Sequence, residues 1–165
     1  MAALHVTAYV ALGANLGDPI TTVRAAIESL RGLAGTRRLA VSSLYRTAPV
    51  GLRNQPDFIN AVAALEASGT ADDLLADLFA IEAAFGRVRS MKNAPRTLDL
   101  DLLLFGDKRY DTPGLTLPHP RLTERAFVLV PLAEIAPTLV INGHGPIADL
   151  LAKVVGQRIE RLPPG

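Results

Sequence analysis

The chain has 165 residues, a length one hydrophobic core can serve, so a single domain is expected over 1–165, with 1–6 and 160–165 as flexible ends. Lys and Arg number 17 against 16 Asp and Glu, a net charge of +1, which excludes a global field for wrapping nucleic acid or adhering to an anionic membrane. The absence of cysteine excludes disulfides and thiolate metal sites, so any metal must be held by oxygen or imidazole. Met1 to Thr7 lack a basic start and a long apolar run, so no leader is expected, and no apolar run reaches the roughly 18 residues of a membrane span. A cytoplasmic protein with neither nucleic-acid nor membrane partners is expected.

In chain order, Tyr9 to Leu12 is an apolar run ending at Gly13, and after Asn15, Gly17 and Asp18 comes Pro19, suited to a helix's first position. Val23, Ala26, Ile27 and Leu30 then recur at helical spacing until Gly32. The glycine turn lacks a Gly-Lys-Ser/Thr ending and is read as structural, with Asn15 tying it to neighbouring backbone. Leu39 to Tyr45 and Phe58 to Leu65 are β-rich runs separated by a long, proline-marked connection. Thr70 and Asp73 make a cap for a helix carrying Leu74, Leu78, Ile81 and Glu82. A basic loop from Arg87 to Arg96 feeds the strand Thr97 to Phe105. The order β-α-β-β-α-β predicts an α+β, ferredoxin-like core, an antiparallel sheet with helices on one face. A C-terminal hairpin around Asp107 to Leu117 and helices near Ala126 to Ile135 and Ile147 to Val155 are appended.

Within Leu98-Asp99-Leu100-Asp101-Leu102, the period of a strand sends both aspartates to one face and the leucines to the other. Adjacent carboxylates repel unless neutralised, and a hard divalent cation would turn that repulsion into binding. Arg87, Arg89, Lys92 and Arg96 precede this strand, and acids beside guanidiniums describe a metal-polyphosphate site, since magnesium shares its shell between carboxylates and phosphates. His119, held between Pro118 and Pro120, can donate to a phosphate. Phe58 and Phe127 are candidates for stacking a flat ligand, with Asn60 reading its edge. These residues leave open a nucleotidyl or phosphoryl transferase using two metals, and a non-catalytic binding module on the same sheet.

The blocks Tyr9-Val10-Ala11-Leu12-Gly13-Ala14-Asn15-Leu16, Ser42 to Pro49, Gln55-Pro56-Asp57-Phe58-Ile59-Asn60, Gly86-Arg87-Val88-Arg89, Pro95-Arg96-Thr97-Leu98-Asp99-Leu100-Asp101, Leu117-Pro118-His119-Pro120-Arg121 and Arg125 to Leu129 occur in that order. Together they resemble the hydroxymethyl-dihydropterin pyrophosphokinase family. The resemblance implies that ATP gives its terminal two phosphates together to the hydroxymethyl group of a reduced pterin, releasing AMP, in folate biosynthesis. It implies that Asp99 and Asp101 hold two magnesium ions, and that Arg87, Arg96 and His119 are catalytic. ATP would meet Glu82, Arg87, Arg89, Lys92, Arg96, Leu102, Thr116, His119 and Arg125. The pterin would meet Thr47, Ala48, Val50, Phe58, Asn60, Asp99 and Phe127, and a monomer acting on these two small molecules is expected.

Overall fold

The computed structural model describes residues 5–49, 54–86 and 98–164. The first strand, β1 (Val6–Ala14), leads through the Asn15–Asp18 turn into α1 (Pro19–Arg31), where the Asp18 side chain accepts the Thr21 N–H and Pro19 sits in the first turn. Gly17 has φ +64, the left-handed conformation a glycine adopts without a Cβ clash. Next come β2 (Thr36–Val41), β3 (Tyr45–Thr47) and β4 (Phe58–Ala67). The run from Leu39 to Tyr45 is therefore two strands. Its break has a cause: Ser42 still pairs with Val62, but the Ser43 N–H turns to the carboxylate of Glu134 instead of the sheet.

Thr70 and Asp73 form a reciprocal capping box, satisfying two orphan donors at the start of α2 (Ala71–Ala84). Then follow β5 (Asp99–Phe105), the hairpin β6 (Tyr110–Thr112) and β7 (Leu115–Leu117), α3 (Ala126–Ile135), the short pair β8 (Val140–Ile141) and β9 (Gly145–Pro146), α4 (Ile147–Ala152) and β10 (Glu160–Arg161). The principal sheet runs β10-β3-β4-β1-β5, with β2 also on β4, and all its pairings are antiparallel.

The two sheet faces have separate cores. On one, Val10 and Leu12 of β1, Ala61 and Leu65 of β4, and Leu98, Leu100 and Leu102 pack with Val23 and Leu30 of α1 and Leu74 and Leu78 of α2. On the other, Val62, Leu103 and Leu104 pack with Val128, Leu129 and Leu132 of α3 and Ile147 and Leu150 of α4. Helices α1 and α2 thus cover one face of the antiparallel sheet, while α3 and α4 cover the opposite face. One expectation is corrected by long-range pairing. Residues 160–162, read as part of a loose end, dock on β3 through Glu160 opposite Arg46, Arg161 opposite Tyr45, and the Leu162 N–H on the Leu44 carbonyl at 2.9 Å. Asn15 ties its turn to the connection before β4, donating to the Gln55 side chain at 2.7 Å and to the backbone carbonyl of Pro56 at 3.1 Å. No helix among the described residues is long and apolar enough to cross a membrane.

Candidate active site

Strand register assembles the site on the α3 side of the sheet. Asp99 lies opposite Gly13, Gly13 opposite Asn60, and Asn60 opposite Tyr45, so one row crosses four strands. Directly opposed residues share a face, and Asp101, opposite Ala11, continues it one step along β5. The leucine-aspartate alternation divides as its period requires: Leu98, Leu100 and Leu102 are buried, and Asp99 and Asp101 are partly exposed. Gly13 leaves a notch in the row, since a Cβ there would stand 3.1 Å from Asn60 Oδ1. Asn60 is itself buried and donates from Nδ2 to the Thr47 hydroxyl at 2.8 Å.

Two segments bring His119 and Arg125 to the aspartates. The His119 N–H donates to the Leu103 carbonyl at 2.9 Å, fixing the Pro118–Arg121 segment along β5. Burial and then the charge of Arg125 hold the His119 imidazole below its usual 6.5, Asp99 pulling upward and Arg121 downward. The ring is therefore neutral at pH 7. Its Nδ1 accepts the Arg121 N–H at 3.3 Å, which assigns the ring proton to Nε2 as a donor. Arg125 enters α3 with its guanidinium 5.3 Å from the centroid of Phe127, a cation-π arrangement. Burial and the charge of Arg121 lower its pKa, against Asp101, Glu124 and Asp99, which favour the cation.

Two cavities open here. One of about 520 Å³ is lined by Thr47, Ala48, Pro49, Arg125 and Phe127 together with Arg121, Glu124, Gln157 and Arg158. A smaller one of about 270 Å³ lies at the β5 edge, lined by Leu75, Phe79, Asp101, Leu102, Thr116 and His119 among others. The residues assigned by resemblance to the pterin and to ATP thus fall partly into separate cavities: Thr47, Ala48 and Phe127 in the larger, Leu102, Thr116 and His119 in the smaller. Arg125, assigned to ATP, lines the larger one instead, within electrostatic reach of both aspartates. Phe58, opposite Thr47, and Asn60 line neither, and Glu82 is buried at 2% exposure, its Oε2 accepting the Leu100 N–H at 2.8 Å. Val50, Arg87, Arg89, Lys92 and Arg96 lie outside the described residues.

Sequence reasoning did not single out Glu124, Glu134, Gln157 or Arg158. Glu124 directly precedes Arg125 and lines the larger cavity, Gln157 and Arg158 reach that cavity from a distant segment without a local motif, and Glu134 ties Ser43 and Tyr45 to α3. No group of three or more His, Asp or Glu side chains is placed to hold a metal among the described residues. The Asp99–Asp101 pair still suits magnesium, whose shell commonly takes one or two carboxylates, the rest coming from water and substrate phosphate.

A family model described as 7,8-dihydro-6-hydroxymethylpterin-pyrophosphokinase matches residues 9–137. The chain is 48% identical over 155 residues to the 2-amino-4-hydroxy-6-hydroxymethyldihydropteridine pyrophosphokinase of Pseudomonas aeruginosa, covering 94% of this chain and 96% of that one. It is 40% identical over 159 residues to the enzyme of the same name from Haemophilus influenzae, covering 96% and 99%. In shape it matches a crystal structure of wild-type Plasmodium falciparum HPPK-DHPS with pteroate at a TM-score of 0.72 and 14% identity, over 94% of this chain. That likeness concerns fold alone, and the chain spans only 43% of the Plasmodium chain. With most of its length matched by the family model and by relatives of its own size, the chain belongs to the 7,8-dihydro-6-hydroxymethylpterin-pyrophosphokinase family.

Proposed function

We propose that the chain transfers the pyrophosphoryl group of ATP to the hydroxymethyl group of 6-hydroxymethyl-7,8-dihydropterin, giving the pterin diphosphate and AMP in folate biosynthesis. One observation carries this beyond family membership: two carboxylates side by side on β5 lie within electrostatic reach of Arg125, Asp99 also acts on His119, and Arg125 and Asp101 line two separate cavities. Two ligands and a shared polyphosphate require such an arrangement. Asp99 and Asp101 would hold two magnesium ions, which when bound supply charge neutralisation across the triphosphate.

The remaining work falls to the chain's own groups. Arg125 offers a fixed guanidinium to phosphate oxygens, and neutral His119 offers its Nε2 proton as a hydrogen bond without adding charge. Arg87 and Arg96 are proposed as further phosphate contacts, with Arg89 and Lys92 toward ATP. Charge stabilisation and in-line positioning account for most acceleration in phosphoryl-type transfer, so no covalent enzyme intermediate is invoked. Phe127 and Phe58 would stack the pterin, and Asn60, Thr47, Ala48, Val50 and Asp99 would border it. Leu102, Thr116 and Glu82 would form the nucleotide side.

The strand order with β2 and β3 on β4, then β1, then β5, supports reading the core as ferredoxin-like. Among the described residues the large hydrophobics that stay exposed are Leu16, Phe79, Val140 and Val155, a small set that favours a monomer. A cytoplasmic site of action rests on the cysteine-free composition. The test is product identity: ATP, magnesium and hydroxymethyl-dihydropterin should yield AMP and the diphosphorylated pterin in equal amounts. ADP or free pyrophosphate as the product of turnover would point to a phosphoryl or nucleotidyl transferase instead.

A further inference from the structure

Helix α3 begins at Ala126 with Arg125 in the cap position, and no cap side chain serves its first turn. The opening N–H groups of a helix have no partner within it and must find one elsewhere. Ala126 finds it 31 residues downstream: its N–H donates to Gln157 Oε1 at 2.8 Å. The same side chain's Nε2 donates to the Glu124 carbonyl at 2.8 Å. One amide therefore grips the backbone on both sides of Arg125, using an acceptor and a donor in matched polarity. The Arg125 carbonyl in turn accepts from Val128 and Leu129 at 3.1 and 3.0 Å.

Gln157 is well placed for this. Its own N–H donates to the carbonyl of Val154, which is buried in the α3–α4 core. Three residues later the chain pairs with β3, the strand that carries Thr47. The segment 157–161 thus joins both walls of the 520 Å³ cavity, the Thr47–Pro49 wall and the Arg121–Phe127 wall. Gln157 is exposed, so its two bonds add only modest stability, and their main effect is geometric.

We infer that Gln157 is a positioning residue that sets Arg125 and Phe127 for the reaction by bridging the Glu124 carbonyl and the Ala126 amide. The inference rests on the proposed role of Arg125 at the phosphates. Displacement of a catalytic contact by even an ångström is costly in rate, so a side chain that touches no substrate can still govern turnover.

The experiment is a kinetic double-mutant cycle with Gln157→Ala, Arg125→Ala and both together. Gln157→Ala should lower kcat about tenfold in the parent and less than about twofold once Arg125 is gone, because both changes then act through one group. Gln157→Glu is the second variant: its carboxylate still accepts the Ala126 N–H and suits a helix N-terminus, but it cannot donate to the Glu124 carbonyl. It should keep the parental melting temperature and still lose turnover, which a purely structural role does not predict. A parental kcat in Gln157→Ala, or an equal fold-loss in both backgrounds, overturns the inference while leaving the assignment of Arg125 standing. A parental kcat in Arg125→Ala overturns that assignment and the inference with it.

Discussion

Removal of the Glu134 carboxylate should destabilise the fold severely, because one side chain on α3 closes the junction between β2 and β3. Its oxygens accept the Ser43 N–H at 3.0 Å, the Ser43 hydroxyl at 2.9 Å, the Tyr45 hydroxyl at 2.6 Å and Arg161 at 3.3 Å. The Arg161 contact contributes little, since that side chain is 64% exposed and water screens it. The others are charge-assisted, and Tyr45 is only 4% exposed, so its hydroxyl would be left in a poorly hydrated place. Two to three such bonds lost together give roughly 3–5 kcal/mol for Glu134→Ala, and about 1–2 for Glu134→Gln, which keeps one acceptor. Urea unfolding at pH 7 measures this, and a loss below about 1 kcal/mol for Glu134→Ala would refute the reasoning.

The same network fixes two signs in the pH dependence. Burial, reinforced by the bond to Glu134 and its charge, raises the Tyr45 phenol from its usual 10 to about 12. The neutral phenol is thus favoured in the native state, and its stabilisation is complete below pH 10 and lost as pH rises toward about 12. The loss amounts to roughly 2–3 kcal/mol, and Tyr45→Phe should abolish it. Burial pushes the Glu134 carboxyl up, but the Tyr45 and Ser43 hydrogen bonds and the Arg161 charge outweigh it, leaving a net lowering from 4.5. That contribution is present above 4.5 and disappears as pH falls through the lowered value, an acid loss that Glu134→Gln should lack.

Asp101→Ala should cut turnover by about a thousandfold or more while calorimetry finds pterin binding largely kept; parental turnover would contradict the metal assignment. The His119 ring, followed by NMR titration, should ionise below 6.5, move up in Arg125→Ala and down in Asp99→Asn, as the signs of those neighbours require. The native state disfavours the charged ring, so this group's share of stability is full above 6.5 and lost as pH falls below it. Gly13→Ala should raise the pterin KM about tenfold and spare that for ATP, because a Cβ 3.1 Å from Asn60 Oδ1 forces aside the amide that bonds Thr47. An unchanged pterin KM would remove Asn60 from the pterin side.

Much of the frame was legible because its signals are local. Helical spacing with Thr70 at the cap of α2 and Pro19 in the first turn of α1 located both helices, and alternation along Leu98 to Leu102 assigned each side chain its face before any partner strand was known. Family blocks named the residues around the aspartates and divided them between two ligands, yet not the place of Arg125 in the larger cavity.

What the sequence by itself determined, then, is where α1, α2 and β5 lie and which sides of β5 are acidic and apolar, since both follow from the backbone's own period. Only tertiary structure decided that Glu134 would brace Ser43 from 91 residues away, that Arg161 would reach Ser43 across 118, and that Gln157 would close the start of α3. Contacts at such separations depend on how helices and strands dock, and docking leaves no periodic trace in the chain.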